Sequence, residues 1–140
     1  MNLRLLYTLI FIVFSAEFIE AQVKSEYYKD SEIIFCEDVV NGNPVNPSSY
    51  FIISPDGGYV TIEVDNKKPI NTEKLIVQVW KVSRSGIKDE FIETKKIDIN
   101  SNMYAPYFKY IFYEAGKYKI VINSKDEEWI NTGFVSIGVK

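Results

Sequence analysis

The sequence contains no histidine, and cysteine occurs once, at position 36. Without histidine the chain cannot form Ser-His-Asp or Cys-His catalytic arrangements or any histidine-containing metal site. A single cysteine excludes an intrachain disulfide, a cysteine-based zinc site and an iron–sulfur cluster. Positive charge is not in excess either, because 16 Lys and Arg face 19 Asp and Glu. Domains that neutralise phosphates are usually basic, so we expect no nucleic-acid partner.

What is present is the composition of one folded domain. Hydrophobic residues make up 46% of the 140 positions and charged residues 25%. These values are typical of a globular chain and exclude a disordered or low-complexity one. We expect one domain with an ordinary hydrophobic core.

The first 21 residues have the pattern of a signal peptide. Arg4 precedes an apolar run over residues 5–16, which is too short to span a bilayer as a helix, and the small Ala21 suits a cleavage site. Cleavage would leave Gln22 as the first residue, a polar leader over residues 22–31 and a domain over residues 32–140. We expect export to the periplasm, cell surface or medium of a bacterium, with no stable membrane span after cleavage. An uncleaved membrane anchor is the alternative.

The rest of the chain shows the two-residue hydrophobic period of β-strands, and we find no convincing helical stripe. The predicted strands cover residues 32–37, 50–54, 59–65, 75–82, 91–99, 108–113, 117–123 and 134–139. Pro55 to Gly58 has the composition of a tight turn between two antiparallel strands. Residues 41–47, with two prolines, predict a surface loop without regular structure.

Cys36 lies in the apolar stretch IIFCEDVV. We interpret it as a small buried hydrophobic residue of a strand, and its acidic neighbours Glu37 and Asp38 would raise the pKa of the thiol. The alternatives are an intermolecular disulfide and a reactive thiol.

The segment FKYIFYEAGKYKIVI (108–122) resembles the E strand, turn and F strand of immunoglobulin-like sandwiches. The resemblance implies that Gly116 forms the turn and that the Tyr118 hydroxyl bonds back to the backbone across the corner. Trp80 resembles the buried tryptophan of that fold, although the usual disulfide is absent. We therefore predict an all-β, immunoglobulin-like antiparallel β-sandwich of about seven or eight strands.

A wider resemblance covers most of residues 32–139. The stretches IIFCEDV, NGNPVNPSS, FIISPDGGYVTIEV and YKIVINSKDEEWINTGFVSI are similar to an uncharacterised bacterial exported domain. This resemblance implies a fold and an envelope or extracellular location, and it implies no activity.

Carboxylates are the remaining candidates for chemistry, and they occur in three clusters. These are Glu37-Asp38, Asp89-Glu90 and Asp126-Glu127-Glu128. Glycoside hydrolysis needs two carboxyl groups across a cleft, whereas these are adjacent residues at strand ends, so we interpret them as solvated. Loop oxygens of Asp38, Asn41, Asn43 and residues 126–128 could hold calcium, but their spacing matches no EF-hand. We expect no enzyme, no metal and no cofactor.

Three aromatic residues outside the predicted strands suggest a binding surface. Tyr104, Tyr107 and Trp129 are flanked by Asn, Asp and Glu, and such rings suit carbohydrate faces or protein hot spots. If the six strands from residue 59 onward are strands B to G of a sandwich, the loops 66–74, 100–107 and 124–133 gather at one end. The alternative is that the rings fold back to cap the core.

Two function classes remain open. The first is a non-catalytic binding or adhesion module of the envelope that recognises an unknown glycan or protein through its end loops. The second is a structural or assembly subunit that pairs through sheet edges or through the Trp80 face. A monomeric mass favours the first class, and an obligate oligomer favours the second.

Overall fold

A computed structural model describes residues 25–140, so the predicted signal peptide and the first leader residues lie outside the described part. A short 3-10 helix, Glu26–Tyr28, precedes the strands of this part. The strands are β1 (Glu32–Cys36), β2 (Asp38–Val40), β3 (Asn43–Val45), β4 (Tyr50–Ile53), β5 (Gly58–Asp65), β6 (Lys74–Lys81), β7 (Glu90–Asp98), β8 (Tyr107–Phe112), β9 (Gly116–Ser124) and β10 (Trp129–Val139). No helix in this part is long and apolar enough to cross a membrane.

The strands form two main sheets that face each other. One has the order β1-β5-β8, and the other has the order β4-β10-β9-β6-β7. All neighbours are antiparallel except β4 and β10, which run parallel. This arrangement confirms the prediction of an all-β, immunoglobulin-like sandwich. It has more strands than expected because a short hairpin, β2–β3, replaces the first predicted loop and the residues just before it.

The core lies between the sheets and follows directly from the alternation in the sequence. Val60, Ile62 and Val64 of β5 point inward and are fully buried. Alternate residues of the facing strands complete the core: Leu75, Val77 and Val79 of β6, Ile120 and Ile122 of β9, and Val135 and Ile137 of β10. Each buried side chain of this size contributes roughly 1.5 to 3 kcal/mol, so the core supplies the main driving force for folding.

The prediction of an irregular loop after the first strand is wrong. Asn41 and Gly42, at φ of +53° and +76°, form a two-residue turn that joins the short strands β2 and β3. Asn-Gly is the strongest short hairpin signal because both positions of that turn type require positive φ. Pro44 pairs with Val39 at the edge of this small sheet, where a missing N–H is tolerated.

The turn at Pro55 to Gly58 is present, but it does not join a pair of neighbouring strands. The Gly57 N–H donates to the Ser54 carbonyl (2.9 Å), and Gly57 has a φ of +111°. β4 before the turn belongs to the five-stranded sheet and β5 after it to the three-stranded sheet. The turn therefore carries the chain from one sheet to the other.

The crossing between the sheets from β8 to β9 is the tyrosine corner. The hydroxyl of the buried Tyr118 donates to the carbonyl of Glu114 (2.9 Å), which is the hydrogen bond expected from the resemblance. Gly116 begins β9 at a φ of +154°, and the Lys81 side chain lies so close that a Cβ at Gly116 would be 2.8 Å from Lys81 Cε. Burial raises the pKa of Tyr118, so the hydroxyl stays protonated as a donor.

The segment expected to be a polar leader is folded onto the domain from Ser25 onward. Tyr28 is buried, and its hydroxyl donates to the Ile70 carbonyl (2.9 Å). Tyr27 donates to the Pro69 carbonyl (2.6 Å). Burial, with a smaller effect of Glu128, raises the pKa of Tyr28 to about 12. The segment therefore braces the loop between β5 and β6.

Candidate binding surfaces

The loops expected to gather at one end do so, and hydrogen bonds join them. The loop after β5 donates to the loop after β7 through Asn66 N–H to Tyr104 carbonyl (2.9 Å) and Ile70 N–H to Met103 carbonyl (2.7 Å). The loop after β9 joins them through the Lys125 N–H, which donates to the Thr72 hydroxyl (3.0 Å). We call this region, residues 66–73, 99–106 and 125–128, the loop end. These hydrogen bonds hold its three loops together.

Tyr104 lies in the loop end, and Tyr107 follows directly after this loop at the start of β8. Tyr104 is 57% exposed and Tyr107 is 45% exposed. Tyr107, expected in a loop, is the first residue of β8 and pairs with Glu63 of β5. Three residues of extended chain span at most about 11 Å, so the two rings can contact one partner.

Trp129 lies on a different face from Tyr107. It is the first residue of β10 and pairs with Asn123, and the buried Ile130 beside it points into the core. Its indole N–H donates to the Thr132 hydroxyl (3.0 Å), and its side chain is half-buried. The structure therefore places the two tyrosines three residues apart at one end of the sandwich, and Trp129 on the outer face of the five-stranded sheet.

Trp80 is not the buried tryptophan of the resemblance, and that expectation is wrong. Val77 and Val79 occupy the inward positions of β6, so Trp80 points outward and is half-buried. Its ring makes an edge contact with Phe91 (5.0 Å between centroids), and Lys119 Nζ lies 5.2 Å from its centroid. A bulge at Ile92 of β7 places Phe91 opposite Trp80.

Trp80 belongs to a row of paired residues that crosses the outer face of the five-stranded sheet. The register places Phe134 beside Lys119, Lys119 beside Trp80, and Trp80 beside Phe91. Four strands at the usual spacing span about 14 Å. Phe134 and Phe91 are 48% and 49% exposed. This outer face therefore presents aromatic rings and lysines to solvent.

A basic cleft opens beside this row, at the end of the sandwich opposite the loop end. It has a volume of about 710 Å³, and its lining includes Lys81, Arg84, Lys88, Glu90 and Lys117. A smaller concavity of about 540 Å³ adjoins it and is lined by Trp80, Lys88, Asp89, Glu90 and Phe91. Lys88 and Glu90 line both volumes, so the cleft continues onto the aromatic pair.

Asp89 holds the loop that forms one wall of the cleft. Its carboxylate accepts from Lys119 Nζ (3.1 Å) and from the Ser83 N–H (3.2 Å). The hydrogen bond from Lys119 and the one from Ser83 hold the pKa of Asp89 below its usual range. Asp89 is thus a charged anchor for residues 82–89.

The outer face of the three-stranded sheet contains buried polar groups. Cys36 is a free, fully buried thiol, and Thr61 donates to the Glu37 carbonyl (3.2 Å). Glu63 is 3% exposed, and its Oε2 has no hydrogen-bond partner among the described residues. Burial raises the pKa of Glu63, and the Asp65 carboxylate raises it further. Burial and the Glu63 carboxylate also raise the pKa of the Cys36 thiol.

The three carboxylate clusters do not converge on a common site. Glu37 accepts from the Asn46 amide (2.9 Å), Asp89 is paired with Lys119, and residues 126–128 are exposed at the loop end. Within residues 25–140, no group of three or more Cys, Asp or Glu side chains could hold a metal ion.

Comparisons with known proteins give only distant structural similarity. No family model matches the chain, and no curated protein matches it. The soluble domain of PmoD from Methylocystis sp. ATCC 49242 (Rockwell) matches with a TM-score of 0.48 and 8% identity over 77% of this chain and 90% of that chain. A superoxide reductase (neelaredoxin) from Ignicoccus hospitalis matches with a TM-score of 0.41 and 9% identity over 79% and 80%.

A third solved structure, the hypothetical protein PH1083 from Pyrococcus horikoshii OT3, matches with a TM-score of 0.40 and 14% identity over 85% of this chain and 97% of that chain. All three scores are below 0.5, so these similarities carry no functional argument. The chain is a β-rich domain whose function has to be argued from its own surfaces.

Sequence reasoning missed the basic cleft. Its walls come from residues 81–84, 88, 90, 115–117 and 136–137, which belong to segments far apart in the sequence. The one available signal was Arg84, the only arginine in residues 25–140, in a loop that also contains Lys88.

Proposed function

We propose that this chain is a non-catalytic binding module exported to the bacterial cell envelope, and that the loop end contacts its partner, a glycan or a protein. The single observation that carries the proposal is the pair of exposed tyrosines, Tyr104 on the hydrogen-bonded loops and Tyr107 at the adjoining start of β8. Loops fixed on a rigid sandwich are a common way to build recognition, because little conformational entropy is lost on binding. Trp129 contributes second, from the neighbouring face.

The chemistry of the chain supports a non-catalytic role. Histidine is absent, and the one cysteine is fully buried. The carboxylates of the three clusters are exposed, hydrogen-bonded to an amide or paired with a lysine. An acid–base pair for hydrolysis needs two carboxyl groups about 5 to 10 Å apart across a cleft, one with a raised pKa.

The test is a Tyr104→Ala, Tyr107→Ala double variant assayed on a glycan array and against envelope extract. Losing an aromatic hot spot typically costs about 2 kcal/mol or more, so we expect roughly a thirtyfold loss of binding. The matched control is Tyr59→Ala, Tyr113→Ala, since both of these tyrosines are 65% exposed and lie away from the loop end. If the control variant loses binding and the test variant does not, the binding surface lies outside the loop end.

Export is part of the proposal and has its own measurement. The pattern of Arg4, an apolar run and Ala21 supports cleavage before Gln22. Intact mass spectrometry of protein from its native envelope should give a chain that begins within a few residues of Gln22. Retention of Met1 in that material would contradict processing.

An assembly role is the second candidate, and a specific feature favours it. β8 and β7 each lie at the edge of a sheet and have one neighbour among the described strands. Exposed edges are templates for pairing with another chain. Analytical ultracentrifugation at micromolar concentration separates the candidates, because assembly predicts a stable oligomer and the binding module predicts a monomer.

A further inference from the structure

The basic cleft concentrates positive charge in a chain that is acidic overall. Lys81, Arg84, Lys88 and Lys117 line it, against the single carboxylate of Glu90. Lys81 is paired with Glu114 at the rim (3.1 Å). The other three cations leave the cleft with an excess of positive charge, although the whole chain carries a net charge of −3. Such a local excess attracts anionic ligands.

The cations differ in what they can recognise. Arg84 presents a planar fork of donors that matches a carboxylate, sulfate or phosphate group, and it is exposed in the loop that Asp89 anchors. Lys88 adds a point charge where the two concavities join. Lys117 lies 5.3 Å from the centroid of the Phe134 ring, so it connects the cleft to the aromatic row.

The aromatic part of the cleft indicates that the ligand has more than a charged group. Trp80 and Phe91 line the smaller concavity, which adjoins the basic one. Their rings are partly exposed and hold each other in a fixed edge contact. An inorganic anion would make no use of this surface, whereas a ring with an apolar face would pack against it.

The acceptors in the cleft narrow the class of ligand further. Glu90 is a carboxylate with acceptor oxygens only, and the hydroxyls of Ser83 and Ser136 can donate or accept. A ligand that carries hydroxyl donors as well as an acidic group would satisfy these residues. The backbone of single-stranded DNA carries the negative charge without such hydroxyl donors, so it would leave Glu90 without a partner.

We propose that this cleft binds an acidic saccharide, with its anionic group between Arg84, Lys88 and Lys117 and a sugar ring against Trp80 and Phe91. The hydroxyls of the sugar donate to Glu90. The volume of about 710 Å³ lies within the range typical of small-molecule sites. This site is separate from the loop end, so it does not depend on the partner proposed there.

The experiment uses the processed chain and isothermal titration with three acidic probes: a polygalacturonate pentamer, a heparin-derived oligosaccharide and a mannose phosphate oligomer. The methyl-esterified galacturonate pentamer keeps the rings and removes the charge. We expect at least one acidic probe to bind more tightly than about 1 mM. Binding should weaken as salt is raised, and the neutral ester should bind at least about tenfold more weakly than the acid if the acid is among the binders.

Variants then assign the residues. Arg84→Gln, Lys88→Gln should weaken binding at least about tenfold, and Phe91→Ala should weaken it about threefold or more. The charge-matched control Lys96→Gln, Lys109→Gln removes two exposed lysines from outside the cleft and should leave binding within about twofold. All substituted side chains are exposed, so the melting temperatures should stay similar.

Four results would overturn the proposal. The first is that none of the three acidic probes binds. The second is that the control loses as much binding as the cleft variant. In the third, the neutral ester binds as well as its acid. In the last, single-stranded oligothymidylate or inorganic phosphate binds as tightly as the best saccharide, which would show that charge alone is recognised.

Discussion

The outer faces of the two sheets are built in opposite ways. The three-stranded sheet buries polar groups, because the β2–β3 hairpin packs on β5 and shields Cys36 and Thr61. The five-stranded sheet leaves aromatic rings in water, since nothing within residues 25–140 covers Phe91 and Phe134. Burying polar groups requires hydrogen-bond partners, and exposing rings gives up hydrophobic free energy. The part of the three-stranded sheet beneath the hairpin, which we call the covered face, therefore serves stability. The outer face of the five-stranded sheet, the open face, is available for binding.

The largest expected effect is in the reactivity of Cys36. Because the thiol is fully buried and burial raises its pKa, labelling in native buffer should need an opening of the hairpin or of the domain. We expect labelling at least about a thousandfold slower than in denaturant, as for a domain stable by several kcal/mol. A Ser85→Cys variant on a Cys36→Ala background reports the rate of an exposed thiol. Rapid labelling in native buffer, or a dimer band on a non-reducing gel, would show that the hairpin does not bury Cys36.

An aspartate placed on each of the two outer faces in turn tests, through the free energy of unfolding, whether the faces differ in burial. Val39 of the hairpin is buried, so Val39→Asp places a carboxylate without a partner under the hairpin and should lower the free energy of unfolding by about 3 kcal/mol. Ile52 of β4 is exposed, so Ile52→Asp should cost less than about 1 kcal/mol. Urea unfolding measures both. Equal losses would mean that the two faces do not differ in burial.

The same contrast explains how far the sequence could predict the fold. Alternation located the main strands because inward residues such as Ile62 and Leu75 must be apolar. It could not decide which face of β6 is buried, since β6 is apolar on both faces, and it could not foresee the bulge in β7 that places Phe91 opposite Trp80. Pro44 favours an irregular loop, yet Asn41-Gly42 before it forms a hairpin turn. The order of residues within one strand predicts which of them are buried. It does not predict features that depend on how neighbouring strands pair.

The functional surfaces were harder to predict than the fold. Topology correctly gathered the loops that contain Tyr104, because consecutive connections alternate between the ends of a sandwich. The polar neighbours of Trp129 indicate a loop shared with the tyrosines, whereas Trp129 begins β10. The basic cleft depends on Arg84 approaching the turn at Gly116, and no local pattern encodes a contact between distant segments.

A smaller loss of stability is expected from a change in the core between the two sheets. Tyr118→Phe removes the hydroxyl that donates to the Glu114 carbonyl and should cost about 1 to 3 kcal/mol. Each kcal/mol lowers the melting temperature by about 4 °C in a domain of this size. Tyr113→Phe is the matched control, because Tyr113 is highly exposed. An unchanged midpoint for Tyr118→Phe would show that the corner hydrogen bond adds nothing to stability.

The smallest expected effect comes from Glu63, and it depends on pH. Burial first, and Asp65 second, raise the pKa of this carboxyl in the folded state, with Lys67 opposing them. The folded state therefore holds the Glu63 proton to a higher pH than the unfolded state does, so this group's contribution to stability falls as pH rises from about 4.3 through the raised value. Glu63→Gln keeps the shape and removes the charge. The difference in melting temperature between variant and wild type should shift in the variant's favour between pH 4 and pH 7, while the exposed Glu127→Gln shows no such trend. A difference that stays flat with pH would show that the Oε2 atom has a partner in solution and that the covered face tolerates its charge.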